Sequence, residues 1–330
     1  MKKNDIPQEL KADLPLNTWG KMLSATPVVM AVIATLLAGL ASSEMTRAQY
    51  ARSLGAQQQS KAGDQWSFFQ AKKLRSALQR NTLDMLQSTA EVRMFDETKV
   101  QIAARQLPAA AKALQDSALS LLNSPAGQRA LIELRQGELP QLTAEPALDP
   151  KLKDVLAAIE NAQSDSELNA KLSGLDAKLV ERALGTARDR ASAFDEQVRP
   201  TAQAIEIFEK LLSPTPVPAA SGAESVASRR NFIAARLQFN ALRYEAEARL
   251  NQRIANLLEV QVRHSNLTAE WHRRRSERFF FGMLAAQAAV IISTLAMAAR
   301  QRNLLWTLAA AAGVAAVLFA IYVYWFMKLT

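Results

Sequence analysis

Residues 222–299 restrict the fold more than any other stretch, because they contain no proline and, beyond Gly222, only one glycine, Gly282. Without a helix breaker they predict one uninterrupted helix. Its first part is charged and amphipathic, whereas residues 279–299 are uncharged and long enough to cross the hydrocarbon core of a bilayer. The stretch therefore predicts a helix that begins in water and continues into a membrane.

Two other uncharged runs, residues 22–43 and 303–327, also exceed the roughly 20 residues that a spanning helix needs. The first run shares some features with a signal peptide. It follows a long polar tail, residues 1–21, that carries three acidic side chains, and this favours a retained anchor. The sequence thus predicts an all-α membrane protein with three transmembrane helices, at 22–43, 279–299 and 303–327.

The polar sequence between the first two spans predicts two long helices around a region rich in helix breakers. Residues 44–107 predict a first stalk helix and residues 223–278 a second. Because both adjoin the same face of the membrane, we expect them to pair as a long antiparallel, coiled-coil-like stalk. Residues 108–212 predict a distal head of shorter helices, and the proline-rich residues 213–222 predict an extended linker.

A heptad pattern can be written along the first stalk helix. Asn81 is polar within it: either it fixes the register of the helices at a cost in stability, or it faces the rim of a partner. The two predicted core positions hold Ala71, Leu78, Met85 and Val92, and Leu74, Asn81, Ser88 and Phe95.

Helix ends in the head are predicted from capping residues and breakers. Asp149 before Pro150 predicts one start, and Ser164 with Glu167 predicts a capping box at another. Helix breakers that predict ends include Gly185 and Pro200. No alternating run of β-branched residues predicts a strand.

The formal charge of +9 is concentrated beside the predicted spans. Residues 43–93 carry a net charge of +4 and residues 223–278 one of +5, whereas residues 94–210 carry −4. This distribution favours anionic lipid headgroups as partners and argues against nucleic acid. The candidate headgroup contacts are Arg273, Arg274, Arg275 and Arg278.

No catalytic, cofactor or metal motif stands out. The chain has no cysteine, and its two histidines, His264 and His272, lack the carboxylate pattern of a metal site. Neither a phosphate-binding glycine loop nor a nucleophile elbow occurs. We therefore expect no cofactor, no metal and no enzymatic activity.

The most individual segment is residues 62–73, where aromatic and acidic residues interrupt a helix built otherwise from Ala, Gln and Leu. Stalk packing is the favoured interpretation of Trp66 and Phe69, with a ligand or partner site as the alternative. The candidate interaction or packing residues are Asp64, Trp66, Phe68, Phe69 and Asn81.

Over residues 57–74, which include this D-Q-W segment, the sequence resembles a bacterial membrane-protein family that is defined as a domain of unknown function, number forty-three thirty-seven. The resemblance implies a basic N-terminal tail, one crossing, a helical domain and a closing pair of crossings. It implies an architecture only, since no activity is assigned to that family.

These features favour a membrane-anchored helical scaffold or interaction protein that associates with itself. Leu83 and Leu86 lie off the heptad seam, so a two-helix stalk would leave apolar surface for neighbouring copies. Alanine-rich faces on the second and third spans permit close helix packing in lipid. On the second stalk helix the residues expected to meet such copies are Phe232, Ile233, Leu237 and Phe239.

Two other roles remain open at this point. A subunit of an oligomeric channel would need Gln287, Ser293 and Thr294 to share one face of the second span. An accessory subunit would instead bind another membrane protein.

Basic residues on short segments predict the orientation in the membrane. Four lysines in the tail and two arginines in the hairpin 300–302 stand against Lys328 alone at the other end. This places tail and hairpin in the cytoplasm and the helical domain in the periplasm of a bacterial inner membrane. The arginines at 273–278 argue for the opposite orientation.

Overall fold

The computed structural model describes residues 18–105, 112–140, 146–212, 223–298 and 302–325. Within these ranges all regular structure is helical, which confirms the predicted all-α class. Most of the tail, the linker 213–222 and most of the hairpin 300–302 lie outside the described residues. The helices are α1 (Thr18–Thr89), α2 (Glu97–Arg105), α3 (Lys112–Leu122), α4 (Pro125–Gln136), α5 (Pro150–Glu160), α6 (Asp165–Ser173), α7 (Ala177–Leu212), α8 (Ala223–Ala298) and α9 (Arg302–Trp325).

Three of these helices, α1, α8 and α9, contain segments long and apolar enough to cross a membrane. Each contains all or most of one of the uncharged runs found in the sequence. As predicted, α8 is uninterrupted from its charged part into its uncharged part. In α1 the uncharged run is likewise continuous with the polar sequence that follows it.

The chain divides into two compact units, the first comprising residues 1–56 and 263–330. Here α1, α8 and α9 pack together, and glycines bring them close. A Cβ added at Gly282 would lie 3.3 Å from Leu37 Cδ1, and one at Gly313 would lie 3.2 Å from Met30 Sδ. The core is otherwise made largely of alanine, whereas large apolar side chains face outward, including Val28, Val32, Leu36, Phe281, Ile291, Leu304 and Val314.

The second unit comprises residues 57–262. Its core joins aromatic and aliphatic side chains of α2, α3, α4, α7 and α8. Between residues 232 and 260, α8 is covered almost all round, and only Gln238 and Arg249 are exposed there. The largest fully buried side chains of this core are Phe194, Phe208, Phe232 and Phe239.

The expectation that apolar residues of the second stalk helix meet neighbouring copies is therefore wrong. Phe232, Leu237 and Phe239 are buried, and Ile233 is half-buried. Phe232 and Phe239 belong to the same hydrophobic cluster as residues of α4 and α7. The chain's own helices cover this surface, so it is not available to a partner.

The predicted first stalk helix, 44–107, is also corrected, because α1 ends at Thr89. Phe95 leaves the helix path and is buried with its ring centroid 5.8 Å from that of Phe232. At the start of α2, the Asp96 carboxylate accepts hydrogen bonds from the Thr98 backbone N–H (3.0 Å) and hydroxyl (2.7 Å). A tertiary contact and a new helix start thus override the local preference for continuing the helix.

Helix α7 runs through Gly185 and Pro200, which predicted helix ends. Proline in a helix interior removes one backbone hydrogen bond. The turns around Pro200 carry Val198, Thr201 and Ala204, all buried against the rest of the unit. Tertiary packing therefore outweighs the local cost of the proline.

One capping prediction is confirmed, and the other is correct only for the position of the helix start. The Asp149 carboxylate accepts from the Lys151 backbone N–H at 2.9 Å and starts α5, as expected. Helix α6 also begins where predicted, after Ser164, but the Ser164 side chain makes no capping hydrogen bond. Its hydroxyl lies 3.2 Å from that of Ser166 instead, so the predicted capping box is not formed.

Candidate interaction surface

One face of α1 is lined by small and polar residues that point toward α8. In the first unit it holds Ala41, Glu44, Ala48, Ala51 and Gly55, which are all buried. In the second unit it continues with the same alternating steps of three and four residues, a coiled-coil period. We call this second part the inner stripe, and it consists of Ala62, Gln65, Phe69, Lys72, Ser76, Gln79, Leu83 and Leu86, all buried or half-buried.

Polar contacts fix the inner stripe against α8. The buried Ser76 hydroxyl donates to the Ala241 carbonyl oxygen at 2.9 Å. Lys73 Nζ donates to Glu245 Oε1 at 2.7 Å, and this hydrogen bond is the main reason that the pKa of Glu245 lies below its usual value. Since residue numbers rise along α1 as they fall along α8, the two helices are antiparallel here, as predicted.

The same direction of pairing holds in the first unit. The Ser276 hydroxyl donates to the Ala41 carbonyl oxygen at 2.7 Å. Near the other end of this contact, a Cβ added at Gly55 would lie only 2.9 Å from Asn266 Oδ1. Small residues on α1 therefore allow close approach of α8.

The heptad seam predicted from the sequence is wrong, because its residues on α1 face away from α8. Leu74 is 62% exposed, Leu78 53% and Met85 68%. Conversely Leu83 and Leu86, predicted to lie off the seam, belong to the inner stripe. We call the exposed set the outer stripe, and it consists of Phe68, Ala71, Leu74, Leu78, Asn81, Met85 and Ser88, all of them exposed.

The D-Q-W segment is divided between the faces of α1. Trp66 and Phe69 are half-buried and pack edge to face, with ring centroids 5.5 Å apart. Asp64 and Phe68 are exposed, and Phe68 is 54% accessible. The segment therefore combines a packing pair with a part of the outer stripe, and its aromatic residues do not converge on one pocket.

A buried carboxylate in the first unit escaped the sequence analysis. Glu44 is buried, with its Oε2 atom 2.6 Å from His272 Nδ1 and its Oε1 atom 3.5 Å from Arg275 Nη1. The only sequence signal was an acidic residue directly after an uncharged run. His272 thus has a partner within the protein.

The four candidate headgroup arginines also have partners inside the chain. The Arg275 guanidinium lies 4.6 Å from the centroid of the Trp271 ring. Arg273 donates to Glu270 at 2.9 Å, which lowers the pKa of Glu270 below its usual value. Arg274 Nε donates to the same carboxylate at 3.2 Å, and the Arg278 guanidinium lies 4.8 Å from the centroid of the Tyr322 ring.

The three polar residues proposed to line a pore do not share a face of α8. Ser293 is buried and donates its hydroxyl hydrogen bond to the Val290 carbonyl oxygen at 2.9 Å. Gln287 and Thr294 are exposed. This arrangement gives the channel interpretation no support.

Among the described residues, no group of three or more His, Cys, Asp or Glu side chains is placed to hold a metal ion. In the described part of the second unit, the outer stripe of α1 is an exposed and partly apolar face that the packing within the unit does not explain.

Residues 19–120 match the family described as "Domain of unknown function (DUF4337)". This confirms the resemblance inferred from the D-Q-W segment. The matched range contains almost all of α1, with both of its stripes, together with α2 and most of α3. No curated protein and no solved structure matches the chain.

Proposed function

We propose that this protein, whose residues 19–120 match that family of unknown function, is a membrane-anchored helical scaffold that associates with itself and has no catalytic activity. The observation that carries the proposal is the outer stripe of α1. It repeats apolar residues at coiled-coil spacing on a face that is exposed among the described helices.

Anchoring is supported by the three helices that are long and apolar enough to cross a membrane. Their outward side chains, such as Val32, Ile291 and Leu304, are large and apolar, whereas alanines and glycines form most of the contacts between them. This inside-out pattern suits helices that pack in lipid, where close backbone approach drives association. We propose a multi-pass protein of a bacterial inner membrane, with the bilayer itself as one partner.

Self-association is supported by the kind of residue that the outer stripe exposes. Its leucine and methionine side chains are more than half exposed, and a partner that covers them gains free energy by removing their apolar surface from water. A scattered exposed leucine needs no explanation, but a stripe of them at heptad spacing does. A second membrane protein with a matching helix is the alternative occupant.

The mass of the purified protein in detergent tests the proposal. Light scattering that separates protein from bound detergent should give two or more chains per particle. A mass of one chain across the accessible concentrations would contradict self-association. One chain of this protein bound to a different protein would instead favour the accessory role.

A further inference from the structure

We infer that the outer stripe of α1 is the contact with a second copy of this chain, in a parallel, in-register coiled coil centred near Asn81. This inference rests on the proposed self-association and adds the surface, the direction and the register of the contact. It concerns residues 68–88, which all lie in the second unit.

The two stripes of α1 are independent of each other. If Ala71, Leu78 and Met85 are placed at heptad position a, then Leu74, Asn81 and Ser88 fall at d. The inner stripe then falls at b and f, on the opposite side of the helix. One helix can therefore bind α8 with one face and a second copy with the other.

The membrane restricts the direction of the contact. Copies inserted in one bilayer with one orientation are related by a rotation about the membrane normal, which leaves the direction of a helix along that normal unchanged. This favours a parallel contact between two copies of α1, the helix that carries both the stripe and the first apolar span. Anchoring also raises the effective concentration of the copies, which helps a seam of only about three heptads.

In a parallel, in-register pair each residue of the stripe faces its own copy. Asn81 then opposes Asn81 of the second copy, where two carboxamides can hydrogen-bond to each other. A polar pair of this kind disfavours shifted registers, since a shift leaves each amide against an apolar side chain. Ala71 permits a close approach at one end of the stripe.

The flanking charges are compatible with this arrangement. Across a parallel coiled coil, position g of one helix meets position e of the next heptad of its partner. Gln70 then meets Arg75, and Asp84 meets Thr89. No pair of like charges is brought together along the stripe, so electrostatics do not oppose a second copy.

Single cysteines test the surface directly, because the chain has none of its own. Ala71→Cys, Leu78→Cys and Met85→Cys should each form a disulfide-linked pair when membranes are oxidised with copper phenanthroline. Gln87→Cys is the matched control: its side chain is exposed on the same helix but lies off the stripe, so it should give little product.

The pattern along the helix reports the direction. In a parallel pair, cysteines at both 71 and 85 react with their own copies, although they lie about 21 Å apart along the helix. In an antiparallel pair only a cysteine near the centre would do so. If the cysteine at 71 or at 85 forms no disulfide with its own copy, the parallel arrangement is wrong.

A charged variant gives a second measurement. Leu78→Glu should reduce the particle mass by half in detergent while leaving the circular dichroism spectrum unchanged, because Leu78 is exposed within one chain. If Leu78→Glu keeps the mass of two or more chains, or if cysteines at 78 and 87 form disulfides equally well, the copies meet at another surface. That result would overturn this inference and leave self-association standing, whereas a single-chain mass for the unmodified protein would remove both. If the stripe cross-links to a different protein and forms no disulfide-linked pair, that protein covers the stripe in place of a second copy.

Discussion

Trp66 shows how one residue of the D-Q-W segment contributes to stability. It is half-buried and packs edge to face on Phe69. Complete burial would make truncation to alanine cost about 3–5 kcal/mol, so a half-buried ring predicts a loss of about 2 kcal/mol for Trp66→Ala. Thermal unfolding in detergent, followed by circular dichroism, measures it.

Phe68→Ala is the matched control for that measurement, since its ring is 54% exposed two residues away. Because Phe68 also belongs to the outer stripe, this variant and the unmodified protein are compared where their copies are dissociated, and we expect their melting temperatures to be close. Equal destabilisation by both variants would contradict the division of the segment between packing and surface. If Trp66→Ala melts like the unmodified protein but loses a partner, Trp66 belongs to a binding site instead.

Glu133 is a second residue whose surroundings make a measurable prediction. It lies on α4 and is buried, and burial raises the pKa of its carboxyl above the usual value. A raised pKa in the folded state means that the folded protein holds this proton more tightly than the unfolded chain does. Its contribution to stability is therefore fully present at low pH and is lost as the pH rises through the raised pKa.

Glu133→Gln should remove this loss, because the amide stays uncharged. The variant should be more stable than the unmodified protein at neutral pH, and the difference should shrink as the pH falls below the usual range of a glutamate. The comparison must be made between variants, because Glu245 and Glu270 have lowered pKa values and change stability in the opposite direction on acidification. Glu138→Gln, at an exposed carboxylate just beyond the end of α4, is the control and should show no such difference.

The faces of α1 separate what its sequence predicts from what it leaves open. The helix itself and its coiled-coil period follow from the spacing of the residues, and its antiparallel pairing with α8 follows from the apolar spans that both helices adjoin. Which of two heptad stripes meets α8 does not follow, because both stripes have the same period. On the face that meets α8, the small residues Ala62 and Ser76 allow close approach. Leu74 and Leu78 on the other face are more apolar but remain exposed.

The end of α1 was unpredictable for a different reason. Nothing local stops the helix at Thr89, and the break is accompanied by burial of Phe95 beside Phe232, which is far away in the sequence. The same holds for Glu44 and His272, separated by 228 residues. Local patterns predict helices and helix starts such as the one at Asp149. Contacts between distant residues decide which face of α1 meets α8, where α1 ends and where Glu44 is buried.

The inner and outer stripes predict a clear asymmetry between the faces of α1. Ser76→Leu introduces a large side chain at a position that is 1% exposed and donates to the Ala241 carbonyl. Overpacking of this kind costs about 1–3 kcal/mol, so we expect a lower melting temperature. Leu78→Ser, the matched change on the outer stripe, should leave the melting temperature of the dissociated chain nearly unchanged. A larger loss at Leu78 than at Ser76 would contradict the assignment of the two faces.

For the whole molecule, the three apolar helices leave the orientation in the membrane to be decided by charge. Basic residues on short segments beside a span remain in the cytoplasm. The tail 1–21 and the hairpin 300–302 carry such residues, and the cluster 273–278 opposes them. The two short basic segments, tail and hairpin, outnumber the one opposing cluster, and this favours a periplasmic helical domain.

Because the chain lacks cysteine, a thiol reagent that does not cross membranes can read this orientation in intact cells. Ser166→Cys lies on the exposed surface of α6, and the reagent should label it without permeabilisation. Gln301→Cys in the hairpin is the control and should react only after the cells are permeabilised. Labelling at 301 but not at 166 would reverse the assignment. It would place the outer stripe of α1 in the cytoplasm, where the same parallel contact between copies would still form because both anchors share one bilayer.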